Sequence, residues 1–147
     1  MSKAIWEMLP EKYRASEDPD EVISLWRGDF RGYENQGMRC RLLDGSIDPE
    51  QVVYDSLFVK YPSIRTLVAR HTHSNHNSPF VSLTDDIEIA RSFNSGAIYR
   101  VEIPAARLVV DPPKGECSKH EEALAIGMVL PCEIVDVFRT KPSVGML

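Results

Sequence analysis

The chain of 147 residues is 43% hydrophobic and carries 17 basic against 22 acidic residues, for a formal net charge of -5. This size and composition predict one soluble domain over residues 1–147 with a single buried core. The acidic balance argues against broad electrostatic adhesion to nucleic acid or anionic membranes. No apolar run approaches the roughly 20 residues of a membrane span. Because the sequence also shows no signal-peptide core and too few cysteines for a disulfide framework, we expect a cytoplasmic protein.

The first predicted elements are an N-terminal arm and a strand that ends in an arginine. Residues 1–18 carry apolar side chains before Pro10, which indicates a helical turn packed on the body. Residues 22–27 are rich in residues of high β propensity and stop at Gly28, so we expect a buried strand whose last side chain is Arg27. That arginine either forms an ion pair with an acidic neighbour or offers a fixed fork to phosphate or carboxylate.

The next region combines a polar stretch, two predicted helices and a histidine-rich loop. Residues 32–45 are arginine-rich and predict a loop or a short irregular strand, and helix start signals follow at Asp48 and Ser63. Three histidines close the region: His71, His73 and His76. A catalytic zinc needs well-spaced ligands on rigid elements, and no second ligand cluster supports one here, so we expect no metal. The loop is either solvated or contributes one histidine to a cleft.

Period-two alternation predicts the strands of the second half. In residues 80–84, Val81 and Leu83 face the core, whereas Phe80, Ser82 and Thr84 face the other way. Two hydroxyls therefore follow one face of that strand.

A helix and two further strands are predicted after it. Asp85 and Glu88 resemble a capping box, and the helix that they open ends at Asn94 to Gly96. Alternation then predicts a half-buried strand over residues 97–103, and residues 108–110 read as another short strand.

Residues 118–127 join a charged loop to an apolar strand. On an extended chain His120 and Glu122 share one face with Leu124 and Ile126, and Glu121 points to the opposite face. A carboxylate at this place is either a solvated strand end or a group that stabilises positive charge. A last strand is predicted over residues 134–138. Helices mainly in the first half and strands mainly in the second, without βαβ alternation, predict an α+β fold.

The glycine spacing contains neither a dinucleotide-binding fingerprint nor a phosphate-binding loop. What remains is an arginine, a serine and a glutamate, each on a different predicted strand. In this order the sequence, over residues 22–138, resembles the Arg-Ser-Glu branch of the ADP-ribosyltransferase superfamily, which includes cholera-like and pierisin-like toxins. Leu25 to Asp29 looks like its aromatic-Arg-x-Asp motif. Residues 82–84 look like its Ser-Thr-Ser strand, with Leu and Thr in the last two places.

The resemblance implies an enzyme with a core of two packed, mainly antiparallel β-sheets and helices mostly from the N-terminal half. It implies NAD as substrate and a mono-ADP-ribosyltransferase of toxin or effector type, with an antitoxin or immunity protein as partner. Glu122 would hold the ribose 2′-hydroxyl and face the developing cation. Ser82 would hydrogen-bond Glu122, with Thr84 supporting the strand. Arg27 would bind an oxygen of NAD, and Gly28 would let the backbone approach the nicotinamide amide.

The resemblance also makes His71 a counterpart of the family's cleft histidine, and it leaves the acceptor open. Family members carry Glu or Gln two residues before the catalytic Glu, whereas this chain carries His120, whose imidazole would act as general base. Net acidity favours a protein acceptor, whereas the arginines between positions 27 and 41 favour a nucleic-acid base. The alternatives are an NAD glycohydrolase, for which water is the acceptor, and an inert binding module on the same fold.

Overall fold

The computed structural model describes residues 4–40, 80–93, 95–110 and 122–139. Its helices are α1 (Ala4–Met8), α2 (Tyr33–Gln36) and α3 (Ile87–Ser92), with 3₁₀ turns at Glu11–Tyr13, Ala105–Arg107 and Pro131–Glu133. Its strands are β1 (Val22–Asp29), β2 (Met38–Arg39), β3 (Phe80–Thr84), β4 (Ala97–Pro104), β5 (Leu108–Val110), β6 (Glu122–Ile126), β7 (Met128–Val129) and β8 (Ile134–Arg139). The predicted α+β class is confirmed.

The strands form a six-stranded sheet in the order β5-β6-β3-β1-β4-β8 and a two-stranded sheet of β2 and β7. Every pairing is antiparallel. Met38 and Val129 of the small sheet are buried in the same hydrophobic cluster as the large sheet, so the two sheets share a core. The expected concentration of helices in the N-terminal half is wrong for the described residues, since α3 and two of the 3₁₀ turns lie in the second half.

The predicted alternation is confirmed where the strands are described. Val81 and Leu83 of β3 lie in the main cluster with alternate residues of β4, including the fully buried Tyr99, and with Ala123 and Ala125 of β6. The opposite face of the sheet carries a second cluster, made of Ile5, Leu9, Tyr13, Phe80, Val109, Leu124 and Ile126. Burial on both faces explains why β6 reads as an apolar run after Glu122.

The N-terminal arm, which the sequence predicted to pack on the body, packs on this second face. Ile5, Leu9 and Tyr13 are each at most 7% exposed because they cover the sheet beside Phe80. Arg14 holds the arm together: its guanidinium stacks over the Trp6 ring at 4.2 Å, and its Nε donates to the Trp6 carbonyl. The arm thus closes one end of the face on which Ser82, Thr84 and Glu122 lie.

Three local predictions need correction. Strand β1 extends to Asp29 and is not buried throughout, since Val22 at its start is 57% exposed. The cap of α3 is Asp86, whose side chain accepts from the Glu88 N–H, because Thr84 Oγ1 accepts from the Asp86 N–H and so delays the helix by one residue. Residues 33–36, expected in a loop or strand, form α2.

The helices predicted from Asp48 and Ser63 lie outside the described residues. Within the described ranges, none of the helices has the length and hydrophobicity that crossing a membrane requires.

Candidate functional site

The large sheet opens where β1 and β3 end. β1 pairs with β4 along the full length of β1. Between β1 and β3 there is a single residue pair, Trp26 opposite Thr84. Because side chains alternate along a strand, Trp26 and Arg27 point to opposite faces of β1. Side chains from the two faces can meet only where β3 has separated from β1. The opening between β1 and β3 therefore provides a place where such side chains converge.

A cleft of about 470 Å³ lies at this opening, within the usual size range of small-molecule sites. Its polar side chains come from three adjacent strands: Arg27 and Asp29 from β1, Ser82 and Thr84 from β3, and Glu122 from β6. Gly28 also lines it. Its apolar wall consists of Trp26, Leu83, Ile89, Ala90 and Phe93. The combination of apolar wall and a few polar groups is the arrangement typical of an organic ligand site.

Arg27 is held at the opening by two partners. Its Nε donates to Asp29 Oδ2 at 2.7 Å, its second terminal nitrogen lies 2.7 Å from the same oxygen, and Nη1 donates to the Ser82 carbonyl at 2.8 Å. The guanidinium thus bridges β1 and β3 where their ladder stops. Of its five N–H donors, those bonds use three, and the side chain is still 30% exposed. Of the two alternatives for Arg27, the structure shows the ion pair, with Asp29, and this pair leaves donors for an anionic ligand.

Glu122 lies at the first position of β6, on the same face as the two hydroxyls of β3. Thr84 is directly opposite Glu122, whereas Ser82 is opposite Leu124, one pair further along that face. Trp26 continues the row on the other side of Thr84. The row Glu122, Thr84, Trp26 therefore runs across three strands that line the cleft.

The turn after β1 is anchored to β4 and β8. This anchoring fixes the end of β1, where Asp29 lies. The buried Tyr99 hydroxyl donates to the Phe30 carbonyl and accepts from the Tyr33 N–H at 3.3 Å. Glu34 of α2 pairs with Arg139 at the end of β8. One edge of the cleft is thus built on β4 and β8 and not on a free loop.

The same contacts perturb two ionisable groups. Burial raises the pKa of the Tyr99 phenol, and the charges of Glu34 and Asp29 raise it further. The Glu34 backbone N–H, followed by the Arg139 guanidinium, lowers the pKa of the Glu34 carboxyl. Both shifts favour the states that hold the turn in place, a neutral phenol and an ionised carboxylate.

Sequence reasoning found five of the cleft residues and missed others. Arg27, Gly28, Ser82, Thr84 and Glu122 all line the cleft. Asp29 was seen only as part of a motif, although residues two apart on a strand share a face and its pairing with Arg27 follows from that rule. Trp26 is likewise the aromatic position of that motif, whereas Phe93 carries no local signal. Their place depends on the strand register and on how α3 packs.

Two predicted site residues, His71 and His120, lie outside the described residues, as do His73 and His76. Within the part of the chain that the structure describes, no group of three or more His, Cys, Asp or Glu side chains could hold a metal ion.

No protein-family model matches the sequence, and no curated protein is similar to it at a significant level.

Proposed function

We propose that the protein cleaves NAD at the bond between nicotinamide and ribose and transfers ADP-ribose to a macromolecular acceptor. The observation that carries the proposal is the meeting of Arg27, Ser82 and Glu122 in one cleft. These residues are far apart in the chain, yet their strands β1, β3 and β6 are consecutive in the sheet. The sequence resemblance had singled out the same three residues.

The reaction needs little covalent chemistry from the protein. The C–N bond breaks with its electron pair passing to the pyridinium nitrogen, so nicotinamide leaves as a neutral molecule. The ribose carbon gains positive charge until the acceptor's nucleophile forms the new bond and gives up its proton. The protein mainly orients NAD and stabilises the cationic sugar, which a fixed carboxylate does well.

Each described residue has a role that its contacts support. Glu122, which lines the cleft, faces the developing positive charge and accepts from a ribose hydroxyl. Arg27 directs its remaining N–H donors at a phosphate oxygen, and Asp29 with the Ser82 carbonyl keeps the guanidinium in place. The apolar wall that includes Trp26 and Phe93 excludes water from a planar ring. His120, which lies outside the described residues, is proposed as the base for the acceptor on the sequence resemblance alone.

A first experiment compares the wild type with Glu122→Gln in a nicotinamide-release assay. We expect the variant to lose at least about a hundredfold in rate, since its amide is the same size but carries no charge. Glu88→Gln is the matched control, because Glu88 is an exposed carboxylate on α3 that pairs with Arg91. Equal release by wild type and Glu122→Gln would contradict the proposal.

A second experiment identifies the acceptor. The protein is incubated with labelled NAD and a cell lysate, and separate aliquots are treated with protease and with nuclease. Label released by only one treatment identifies the class of macromolecule. Free ADP-ribose without a labelled macromolecule means that water is the acceptor, and the enzyme is then an NAD glycohydrolase. An inert binding module would release no nicotinamide at all.

A further inference from the structure

We infer that Thr84, and not Ser82, is the residue that positions the Glu122 carboxylate. The catalytic importance of this contact rests on the proposed function. The inference assigns the positioning of Glu122 to the Thr84 hydroxyl of β3. The resemblance gives that role to Ser82 and leaves Thr84 as support for the strand.

Register is the first argument. Thr84 pairs directly with Glu122, and Ser82 pairs with Leu124. Directly opposite residues in an antiparallel pair have Cβ atoms about 4.5–5.5 Å apart, whereas diagonal neighbours are about 7–8 Å apart. A short side chain such as Thr or Ser acts best on the residue opposite. Thr84 is therefore the hydroxyl nearest to the start of the Glu122 side chain.

The Thr84 side chain is also held in one orientation. It is only 8% exposed, and its branched Cβ restricts rotation about χ1. Its Oγ1 accepts from the Asp86 N–H at 3.1 Å, the one hydrogen bond that the described residues give this hydroxyl. A hydroxyl that accepts in this way still has a proton to donate. A buried, oriented donor opposite a carboxylate fixes that carboxylate with a charge-assisted hydrogen bond.

Ser82 has a different position in the same cleft. Its backbone carbonyl accepts a hydrogen bond from Arg27 Nη1, so this residue already helps to hold the arginine in place. Its side chain is only partly buried, unlike that of Thr84. The two hydroxyl-bearing residues of β3 thus have separate tasks: the main chain of Ser82 supports Arg27, and the side chain of Thr84 supports Glu122.

The kinetic test compares Thr84→Val, Thr84→Ser and Ser82→Ala in nicotinamide release. We expect Thr84→Val to lower kcat by about a hundredfold with little change in KM, because a misoriented carboxylate weakens the transition state most. Thr84→Ser keeps the donor and should retain kcat within about threefold of the wild type. Ser82→Ala should lower kcat less than Thr84→Val does, and an equal or larger loss in Ser82→Ala overturns the inference.

Asp86→Ala is the structural control. Thr84→Val also removes the acceptor for the Asp86 N–H and so loosens the start of α3. Asp86→Ala loosens the same turn, because Asp86 Oδ1 accepts from the Glu88 N–H, but it leaves the Thr84 hydroxyl in place. If Asp86→Ala lowers kcat as much as Thr84→Val, the effect belongs to the turn and the inference is wrong.

A direct titration separates this inference from the proposed function. Loss of a donor to an ionised carboxylate raises its pKa. Carboxyl ¹³C NMR should therefore give Glu122 a higher pKa in Thr84→Val than in wild type or Thr84→Ser. Among the described residues, the other charged groups of the cleft are Arg27 and Asp29, which pair with each other and are unchanged. Equal Glu122 pKa values overturn the inference whether or not NAD is cleaved, whereas a wild type that releases no nicotinamide overturns only the proposed function.

Discussion

Replacing Glu133 with Gln should strongly destabilise the fold, because it leaves a buried arginine without its counter-ion. Arg107 and Glu133 are only 6% and 8% exposed, and Arg107 Nη1 donates to Glu133 Oε2. Glu133 Oε1 also accepts from the Leu130 N–H at 2.8 Å. The amide carbonyl of Gln can still receive that N–H, but the amide nitrogen then faces Arg107, so the substitution removes both the charge and the acceptor of the arginine.

The structure sets the expected magnitude. Removing one partner of a buried ion pair typically costs about 3–5 kcal/mol. The exposed pair of Arg91 with Glu88, whose side chains are 56% and 69% exposed, provides the matched comparison. Glu88→Gln should change the free energy of unfolding by no more than about 0.5 kcal/mol.

The assay is equilibrium unfolding in urea, with the unfolded fraction monitored by tryptophan fluorescence. The double variant Arg107→Met/Glu133→Gln should recover most of the loss, because it no longer buries an unpaired charge. A cost for Glu133→Gln as small as that for Glu88→Gln would refute the reasoning, since it would mean that water still solvates Arg107.

Two further predictions concern the turn beside the cleft. Glu34 has a lowered pKa, so its pair with Arg139 stabilises the fold above the unfolded-state value of about 4.3 and is lost as the pH falls through the folded value. Urea unfolding should show a difference between wild type and Glu34→Gln that shrinks below about pH 5; a difference constant with pH contradicts this. Gly32 and Gly37 both have positive φ, but only at Gly37 would an added Cβ strike the Val129 carbonyl. Gly37→Ala should therefore cost at least about 1 kcal/mol more than Gly32→Ala, and equal costs would show that the backbone yields.

Strand faces could be predicted from the sequence, because they follow from alternation alone. The pattern of residues 97–103 predicted which side chains of β4 enter the core. The same rule put Ser82 and Thr84 together on one face of β3 and Glu122 with Leu124 and Ile126 on one face of β6, and the observed pairing shows that these two faces lie on the same side of the sheet. The α+β class followed from the arrangement of these segments, although α3 and the later 3₁₀ turns show that helices are not confined to the first half.

Strand register and strand separation could not be predicted in this way. Nothing in the sequence around Glu122 says whether Ser82 or Thr84 is its opposite, because a shift in register depends on connections far from the site. The gap between β1 and β3 likewise has no local signature. It explains how Trp26 and Arg27, on opposite faces of one strand, reach the same cleft.

The bridge from Arg27 to the Ser82 carbonyl joins residues 55 positions apart, and this separation has a kinetic consequence. Closing such a long loop costs conformational entropy before the contact stabilises anything, so folds dominated by distant pairings form slowly. The cleft cannot exist while β1 leaves the ribosome, nor before β3 and β6 have joined it. A nascent or partly unfolded chain therefore lacks the complete cleft, and the nicotinamide release proposed above should return on refolding only after these three strands have paired.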